Sequence, residues 1–174
     1  MNRRNLVKAL SLGAVAAFAA GSGNPAAAAG RSRGSARQSN QVLDKMIAAI
    51  NAHDVALLDQ VYSADGYINH QALVMNPGDA TKKMGLAEAK NYFAARFKAF
   101  PDITLATDMR VASRDLIAAN LVWSGTQKDT YLGIPATNKH VTWNSTDILR
   151  VRDGKFVEHW GAIDFFGLVK QLQG

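Results

Sequence analysis

The sequence predicts an α+β domain in which helices come first and an antiparallel sheet follows. Up to about residue 100, apolar residues recur at three- and four-residue spacing, as on the buried side of a helix. After Pro101 the chain changes to runs rich in β-branched and aromatic residues, separated by short turn signals. Short turns join antiparallel neighbours, whereas parallel strands need long crossovers. This order is therefore typical of α+β folds rather than of alternating βαβ folds.

Two helices are predicted at the start of the folded part. The first begins after Ser39 or Asn40, either of which can cap its N-terminus. Its apolar side is formed by residues three or four apart: Val42, Leu43, Met46, Ile47 and Ile50. Asp54 can cap a second, short helix, which ends at Ala64-Asp65-Gly66.

The third helix, Leu86 to Phe100, has the clearest pattern in the chain. Pro101 ends it, because proline cannot continue a helix. Between the second and third helices, residues 67–70 favour a short strand and residues 71–84 contain the turn residues of a loop. A last amphipathic helix of one or two turns is predicted over residues 165–172.

Four strands are predicted after the third helix: 103–112, 116–126, 141–151 and 156–164. The last two form a β-hairpin, because Asp153-Gly154 between β-prone runs is a strong signal for a two-residue turn. This turn pairs Arg152 with Lys155 and so predicts the register of the whole hairpin. One face then carries four cross-strand pairs: Leu149 with Glu158, Asp147 with Trp160, Ser145 with Ala162, and Trp143 with Asp164.

This face is unusual because it combines two tryptophans with three carboxylates. Ionised groups rarely occupy a dry core without partners, so the face suits the wall of an amphipathic pocket. Asp147 and Trp160 also fit a solvent-facing pair. His159 is predicted on the opposite face of the hairpin. A shift of one residue in the register would exchange the two faces.

The first 40 residues differ from the rest of the chain in charge. They hold six basic residues and no acidic residue, so the net charge of +6 belongs to them and the remainder is formally neutral. Arg3-Arg4, an apolar run and a stretch of alanines are typical of a twin-arginine signal peptide over 1–29, or of an ordinary export signal. The apolar run is too short to span a bilayer.

The expected organisation is therefore a signal peptide (1–29), a flexible linker (30–39) and one folded domain (40–174). The mature protein is expected in the periplasm or outside the cell, with no stable membrane anchor. The neutral folded part argues against nucleic acid as a partner, since phosphate binding needs clustered positive charge. The chain has no cysteine, which excludes disulfides and cysteine-based metal sites. Its histidines are not at metal-ligand spacing, so no metal is expected.

Several short strings occur in an order and spacing that point to a known family: Tyr67-Ile68-Asn69-His70, Phe100-Pro101-Asp102, Gly125-Thr126, Gly133-Ile134-Pro135-Ala136-Thr137, Asp147-Ile148-Leu149-Arg150, the hairpin from Asp153 to Trp160, Asp164, and Gln171-Leu172. Residues 42–172 resemble the SnoaL-like polyketide (ester) cyclases of the nuclear-transport-factor-2-like superfamily. The resemblance implies a cone-shaped, curved antiparallel sheet wrapped around N-terminal helices, and a homodimer formed through the outer face of the sheet.

The resemblance also implies a cofactor-free enzyme that moves a proton at a carbon next to a carbonyl. Asp164 would be the acid/base residue, with His70 and Asp147 as further catalytic groups. The predicted substrate-binding residues are Trp143, Trp160, Asn120, Ser145 and Tyr67. Each catalytic candidate also has a structural interpretation: Asp164 as the cap of the last helix, Asp147 as a hydrogen-bond acceptor, and His70 as a strand-end residue bonded to the backbone.

The chain departs from the family pattern at two places. Gly125-Thr126-Gln127 stands where Gly-Thr-His is usual, and Pro135-Ala136-Thr137-Asn138 where Pro-Pro-Thr-Gly is usual. Related epoxide hydrolases use an Arg and an Asp two residues apart, but the corresponding strand offers Asn120 and Val122. A paired-carboxylate glycosidase is excluded, because Asp147 and Asp164 would be about 13 Å apart along the strands.

Two classes of function remain open from the sequence. The first is an exported, cofactor-free cyclase or isomerase acting on a small hydrophobic or aromatic molecule that carries a carbonyl group. The second is a non-catalytic module that uses the same cone to hold a hydrophobic ligand or a protein partner. Export argues against a polyketide substrate, since antibiotic biosynthesis needs cytoplasmic intermediates.

Overall fold

The computed structural model describes residues 25–65, 67–70 and 83–174. Its elements confirm the α+β class. They are α1 (Pro25–Asn51), a 3₁₀ helix (Val55–Gln60), β1 (Tyr67–Asn69), β2 (Lys83–Met84), α2 (Leu86–Ala99), β3 (Thr104–Ser113), β4 (Leu116–Thr126), β5 (His140–Arg152), β6 (Lys155–Ile163) and α3 (Phe165–Gln173).

Helix α1 begins earlier than the apolar pattern predicts. It includes residues 30–39, which were expected to form a flexible linker, and it starts at Pro25 rather than after Asn40. Alanine has the highest helix propensity, and Ala26 to Ala29 extend the helix at this end. Most of the predicted signal peptide lies outside the described residues. Within the described segments, no helix combines the length and the apolarity needed to cross a bilayer.

Local signals at the other helix boundaries are confirmed. Asp54 caps the 3₁₀ helix, accepting a hydrogen bond of 2.8 Å from the backbone N–H of Ala56. Glu88 accepts from the backbone N–H of Gly85 at 2.6 Å, which satisfies one of the free donors at the start of α2. The element between residues 55 and 60, predicted as a short helix, is a 3₁₀ helix.

The strands form one sheet in the order β2-β1-β6-β5-β4-β3. The pairs from β3 to β6 are antiparallel, as predicted. The pairing of β1 with β6 is parallel, so the sheet is mixed rather than purely antiparallel. This pairing places Asn69 beside His159 and brings the segment after the 3₁₀ helix to the hairpin.

The helices cover one face of the sheet and form the core with it. α1 packs against β3, β4 and β5. Asn51 at its C-terminus exchanges two hydrogen bonds with the backbone of Leu105, at 3.0 and 2.7 Å, and so holds the helix end on β3. The largest fully buried side chains include Trp143, Phe100, Phe156, Leu43 and Ile50. On β5 burial alternates residue by residue, which is the pattern of a strand with one covered face.

The register of the β5–β6 hairpin is predicted correctly only next to the turn. Arg152 pairs with Lys155 and Val151 with Phe156, but Arg150 then pairs with Glu158. Val157 is therefore an extra residue in β6, a β-bulge that shifts every later pair by one. Because successive side chains point to opposite faces, the shift exchanges the faces of Glu158, His159 and Trp160 relative to β5.

Candidate active site

A cavity of about 90 Å³ lies between the helices and the inner face of the sheet. Most of its wall is apolar or aromatic and consists of Met46, Tyr62, Tyr67, Tyr92, Phe93, Leu121, Trp123, Leu149 and Ile163. The remaining wall is polar and consists of Asn69, Arg96, Ser145, Asp147 and His159. A mainly apolar wall with a few converging polar groups is typical of a small-molecule site.

Asp147 and His159 form a close pair in this wall. Oδ1 of Asp147 lies 2.6 Å from Nε2 of His159. The side chains are only 9% and 13% exposed, so little water screens the interaction. The bulge at Val157 creates this pair, because it turns His159 to the inner face that Asp147 and Leu149 already occupy.

A chain of hydrogen bonds orients the carboxylate of Asp147. The indole Nε1 of Trp123 donates to Oγ of Ser145 at 3.0 Å. Oγ of Ser145 in turn donates to Oδ2 of Asp147 at 2.6 Å. With Oδ2 bonded to Ser145 and Oδ1 to His159, both carboxylate oxygens are engaged and the carboxylate plane is held in one orientation.

The pairing with Asp147 sets the tautomer of His159. A carboxylate only accepts hydrogen bonds, so Nε2 of His159 must be the donor. In the neutral ring Nδ1 then carries the lone pair. Among the residues that the structure describes, Nδ1 has no hydrogen-bond partner. The ring can therefore take up a proton at Nδ1 while Asp147 stabilises the resulting positive charge.

Arg96 on α2 is a buried cation in the cavity wall, 5% exposed. Its Nε and Nη2 donate to the phenol oxygen of Tyr131 at 3.1 and 2.8 Å, and Nη2 also donates to the phenol oxygen of Tyr92. Its guanidinium carbon lies 4.5 Å from the ring centre of Trp123 and 4.6 Å from that of Tyr92. Such contacts stabilise a desolvated cation through the electron-rich ring faces.

Arg96 has no carboxylate within salt-bridge distance in the described part of the chain. Burial alone would lower its pKa, but the oxygens of Tyr92 and Tyr131 and the carboxylate of Asp147 outweigh burial and raise it. The guanidinium therefore stays charged.

Burial raises the pKa of the tyrosines that line the cavity. It raises the pKa of Tyr67 to about 12, although a hydrogen bond with Asn69 opposes part of the effect. Burial also raises the pKa of Tyr62. It raises the pKa of Tyr92 as well, although the positive charge of Arg96 opposes part of this effect. These phenols consequently remain protonated at neutral pH and can donate hydrogen bonds.

Three of the predicted site residues line the cavity together: Asp147, Ser145 and Tyr67. Trp143 lies behind the wall instead, fully buried and stacked on Trp123 with ring centres 6.1 Å apart. Asn120 is on the outer face of β4, where its amide donates to Asp108 at 3.0 Å. Their predicted roles in substrate binding stay predictions, but neither residue lines the cavity.

His70 and Trp160 lie outside the cavity, on the other side of the sheet from Asp147. The two rings stack at 4.8 Å, nearly parallel. His70 contacts Glu158 at 3.1 Å, and the other carboxylate oxygen of Glu158 accepts from Arg150 at 2.9 Å. The predicted pairing of Trp160 with Asp147 is wrong, because the bulge places Trp160 opposite Ile148.

Asp164 is the N-cap of α3. Its carboxylate accepts from the backbone N–H of Gly167 at 2.8 Å, and its own backbone N–H donates to the carbonyl of Asn144. It is exposed and does not line the cavity. The structural interpretation of Asp164 as a cap is confirmed, and its catalytic role stays a prediction.

His159 and Arg96 are site residues that the sequence does not predict. The sequence predicts His159 on the outer face, because the hairpin turn gives no sign of the bulge at Val157. Arg96 did carry a signal: it continues the buried stripe of α2 formed by Ala89 and Phe93, at three-residue spacing from Phe93. A charged residue within an apolar stripe is rarely buried unless it has partners.

The comparisons with known proteins agree with the fold. The family model of SnoaL-like polyketide cyclase matches residues 40–172, which is most of the chain. The chain belongs to the SnoaL-like polyketide cyclase family. No curated protein matches it closely enough to count as a relative. Family membership supports a cyclase or isomerase type of function for this SnoaL-like protein.

Solved structures with the same fold include TsrD from Streptomyces laurentii, with 27% identity over 78% of this chain and 95% of that one, and a TM-score of 0.68. IdmH from Streptomyces antibioticus has 26% identity over 79% of this chain and 99% of that one, with a TM-score of 0.65. A SnoaL-like polyketide cyclase from Agrobacterium tumefaciens has 16% identity over 77% of this chain and 97% of that one, with a TM-score of 0.64. At this identity the likeness shows the fold alone.

The departure from the family pattern at Gln127 has a structural use in this SnoaL-like protein. Gln127 is fully buried and its amide donates to the carbonyl of Ile134 at 3.0 Å. Its amide oxygen accepts from the backbone and hydroxyl of Thr137, at 3.1 and 2.8 Å. Gln127 therefore holds the loop that follows β4 and lies away from the cavity.

Among the described residues, no group of three or more His, Asp or Glu side chains is placed to bind a metal.

Proposed function

We propose that this protein is a cofactor-independent enzyme that transfers a proton at a carbon next to a carbonyl, with His159 as the acid/base group and Asp147 as its partner. The observation that supports the proposal is the Asp147–His159 pair in an apolar cavity. Histidine paired with a buried carboxylate is a recurrent general base, because the carboxylate sets the tautomer and stabilises the imidazolium.

The chemistry follows from the position of Nδ1 of His159. Nδ1 takes the proton from the α-carbon, and the electrons of the C–H bond move into the C–C bond as the carbonyl oxygen becomes an enolate. The carbon of the enolate then attacks a second carbonyl of the same molecule, which closes a ring, or it is reprotonated at another position, which gives an isomer. His159 returns its proton to the product in either case.

The size of the cavity limits the substrate. A dry cavity of about 150 Å³ accommodates benzene, and the described cavity measures about 90 Å³. A small hydrophobic carbonyl compound is therefore a better candidate for the buried portion of the ligand than an aromatic ring or a polycyclic polyketide. We also propose that the protein is exported, because its basic N-terminus is followed by an apolar run.

A homodimer through the outer face of the sheet is part of the same proposal. Met109 and Val111 on β3 are 64% and 62% exposed, and Ile148 on β5 is 42% exposed on the same face. Adjacent exposed apolar side chains favour association with another surface. Light scattering at micromolar concentration should give the mass of a dimer, and Met109→Lys should give a monomer. A monomeric parent protein would refute this part.

Solvent-deuterium exchange tests the catalytic proposal. A set of small ketones and 1,3-diketones is incubated in D₂O with the parent protein, His159→Gln and Asp147→Asn, and loss of the α-hydrogen signal is followed by NMR. General acid/base catalysis contributes roughly 10²- to 10⁴-fold, so both variants should lose that factor. No acceleration by the parent protein over buffer, with ligand binding retained, would indicate the non-catalytic binding module instead.

Asp164→Asn is the matched control in this experiment. Asparagine caps helices as well as aspartate does, so the variant keeps its fold while losing the same kind of group as Asp147→Asn. We expect its exchange rate to equal that of the parent protein. If Asp164→Asn abolishes exchange and His159→Gln does not, then Asp164 is the base and the proposal for His159 is wrong.

A further inference from the structure

The guanidinium of Arg96 has donors that its described neighbours do not use. Its five N–H groups comprise one on Nε and two on each Nη. Tyr131 takes the hydrogen of Nε and one of Nη2, and Tyr92 takes the other hydrogen of Nη2. Nη1 has no hydrogen-bond partner among the residues described, although Arg96 is buried and lines the cavity.

Because Arg96 lines the cavity, a ligand bound there can accept a hydrogen bond from Nη1. No carboxylate in the described structure lies within salt-bridge distance of the cation, and Asp147 acts on it only from farther away. Aromatic rings hold it in place at 4.5 and 4.6 Å. A preorganised positive charge in a site of low polarity strongly stabilises negative charge that develops beside it.

We propose that Arg96, held by Tyr92 and Tyr131, is an oxyanion-binding site for the enolate oxygen of a small 1,3-dicarbonyl compound. This inference rests on the proposed function, because it names the substrate class for the Asp147–His159 pair. Arg96 and His159 line the same cavity, so one molecule can place its acidic carbon at His159 and its oxygen at Arg96.

The free donors favour a single oxygen over a carboxylate. Arginine binds carboxylates best through two parallel N–H bonds from two different nitrogens. Here Nε and Nη2 are occupied by the phenols, so only Nη1 can donate to a ligand. One nitrogen with two N–H groups suits an enolate oxygen. A 1,3-dicarbonyl is favoured over a simple ketone because its enolate spreads the charge over two oxygens, the second of which can meet a cavity phenol.

Binding of acetylacetone tests the inference without requiring turnover. Its enolate and its neutral forms have different ultraviolet spectra, so a difference titration gives the fraction bound as enolate at fixed pH. An opposite charge within hydrogen-bond distance shifts such an equilibrium by about tenfold or more. We expect the parent protein to raise the enolate fraction by at least that factor and Arg96→Met to abolish the increase.

Two controls keep the test specific. Methionine replaces the aliphatic part of arginine and removes the charge and the donors, and a melting curve checks that Arg96→Met is folded. Arg96→Lys, which keeps the charge but changes the donor geometry, should give a smaller enrichment. Arg110→Met removes an exposed arginine that pairs with Asp44 on the surface, so it should leave the enrichment unchanged.

The outcomes separate this inference from the proposed function. His159→Gln should lose deuterium exchange but keep the enolate enrichment, since it does not alter Arg96. The inference is overturned if the parent protein gives no enrichment, or if Arg96→Met retains it. It is also overturned if propanoate, a carboxylate, binds more tightly than acetylacetone and loses affinity in Arg96→Met. Enrichment that depends on Arg96, without exchange that depends on His159, would support this site and reject the proposed proton transfer.

Discussion

Replacing Ser145 with alanine should destabilise the protein much more than its size suggests. Ser145 is 6% exposed and connects two other buried groups. Its hydroxyl accepts from the indole nitrogen of Trp123 at 3.0 Å and donates to Asp147 at 2.6 Å. Alanine removes both bonds while leaving the two partners in place, which is the most costly way to lose a hydrogen bond.

The magnitude follows from the two orphaned partners. A hydrogen bond to a charged group contributes about 1.5–3 kcal/mol, and a buried donor left without a partner costs about 1–3 kcal/mol. Asp147 keeps its bond to His159, and the indole of Trp123 can shift slightly, so the full sum will not be reached. We expect the free energy of unfolding to fall by about 2–4 kcal/mol.

Thr146→Ala is the matched control. Thr146 is the next residue of β5, and its hydroxyl is on the exposed outer face. Among the described residues it makes one long contact there, 3.5 Å from Asn120. Urea denaturation at one protein concentration should show a lower midpoint for Ser145→Ala with an unchanged slope, and almost no change for Thr146→Ala. Equal midpoints for the two variants would refute the argument that Ser145 is a structural bridge.

Two further predictions concern stability. Burial raises the pKa of Tyr67 to about 12 from 10.0, so the folded form holds the phenolic proton more tightly than the unfolded chain does. The contribution of this proton to folding stability is complete below pH 10 and is lost as the pH rises through about 12. Two pH units correspond to about 3 kcal/mol, so urea denaturation should show a smaller alkaline loss of stability for Tyr67→Phe than for the parent protein. Asp164→Ala removes the cap of α3 and should lower the free energy of unfolding by about 1 kcal/mol. Asp164→Asn keeps a capping side chain and should leave the free energy of unfolding unchanged. Equal melting temperatures for the two variants would contradict the capping role.

The features that the sequence predicts well depend on neighbouring residues. The cap at Asp54, the end of α2 before Pro101 and the turn at Asp153-Gly154 are each encoded within a few positions. The change from helical to alternating periodicity gives the α+β class in the same way. Family strings then gave the fold in more detail than periodicity does, and the family match confirms them.

The candidate site is harder to predict because it depends on contacts between distant residues. His159 reaches Asp147 only if β6 carries an extra residue, and nothing in the Phe156-Val157-Glu158 string indicates a bulge. Arg96 is buried because tyrosines and a tryptophan from α2, β4 and the loop after β4 surround it. Those rings come together only in the folded chain.

Charge pairing gives a physical reason for the bulged register. In a regular hairpin Glu158 would share the inner face with Asp147, so two carboxylates would lie in one apolar wall and His159 would point outward. Like charges at such a site oppose ionisation, and neither acid would have the imidazole of His159 as a hydrogen-bond partner there. With the bulge, Asp147 meets His159 inside, while Glu158 meets Arg150 and His70 outside. A bulge costs one unpaired residue in the ladder, but it gives both carboxylates a partner, and the same shift creates the acid/base pair on which the proposed chemistry depends.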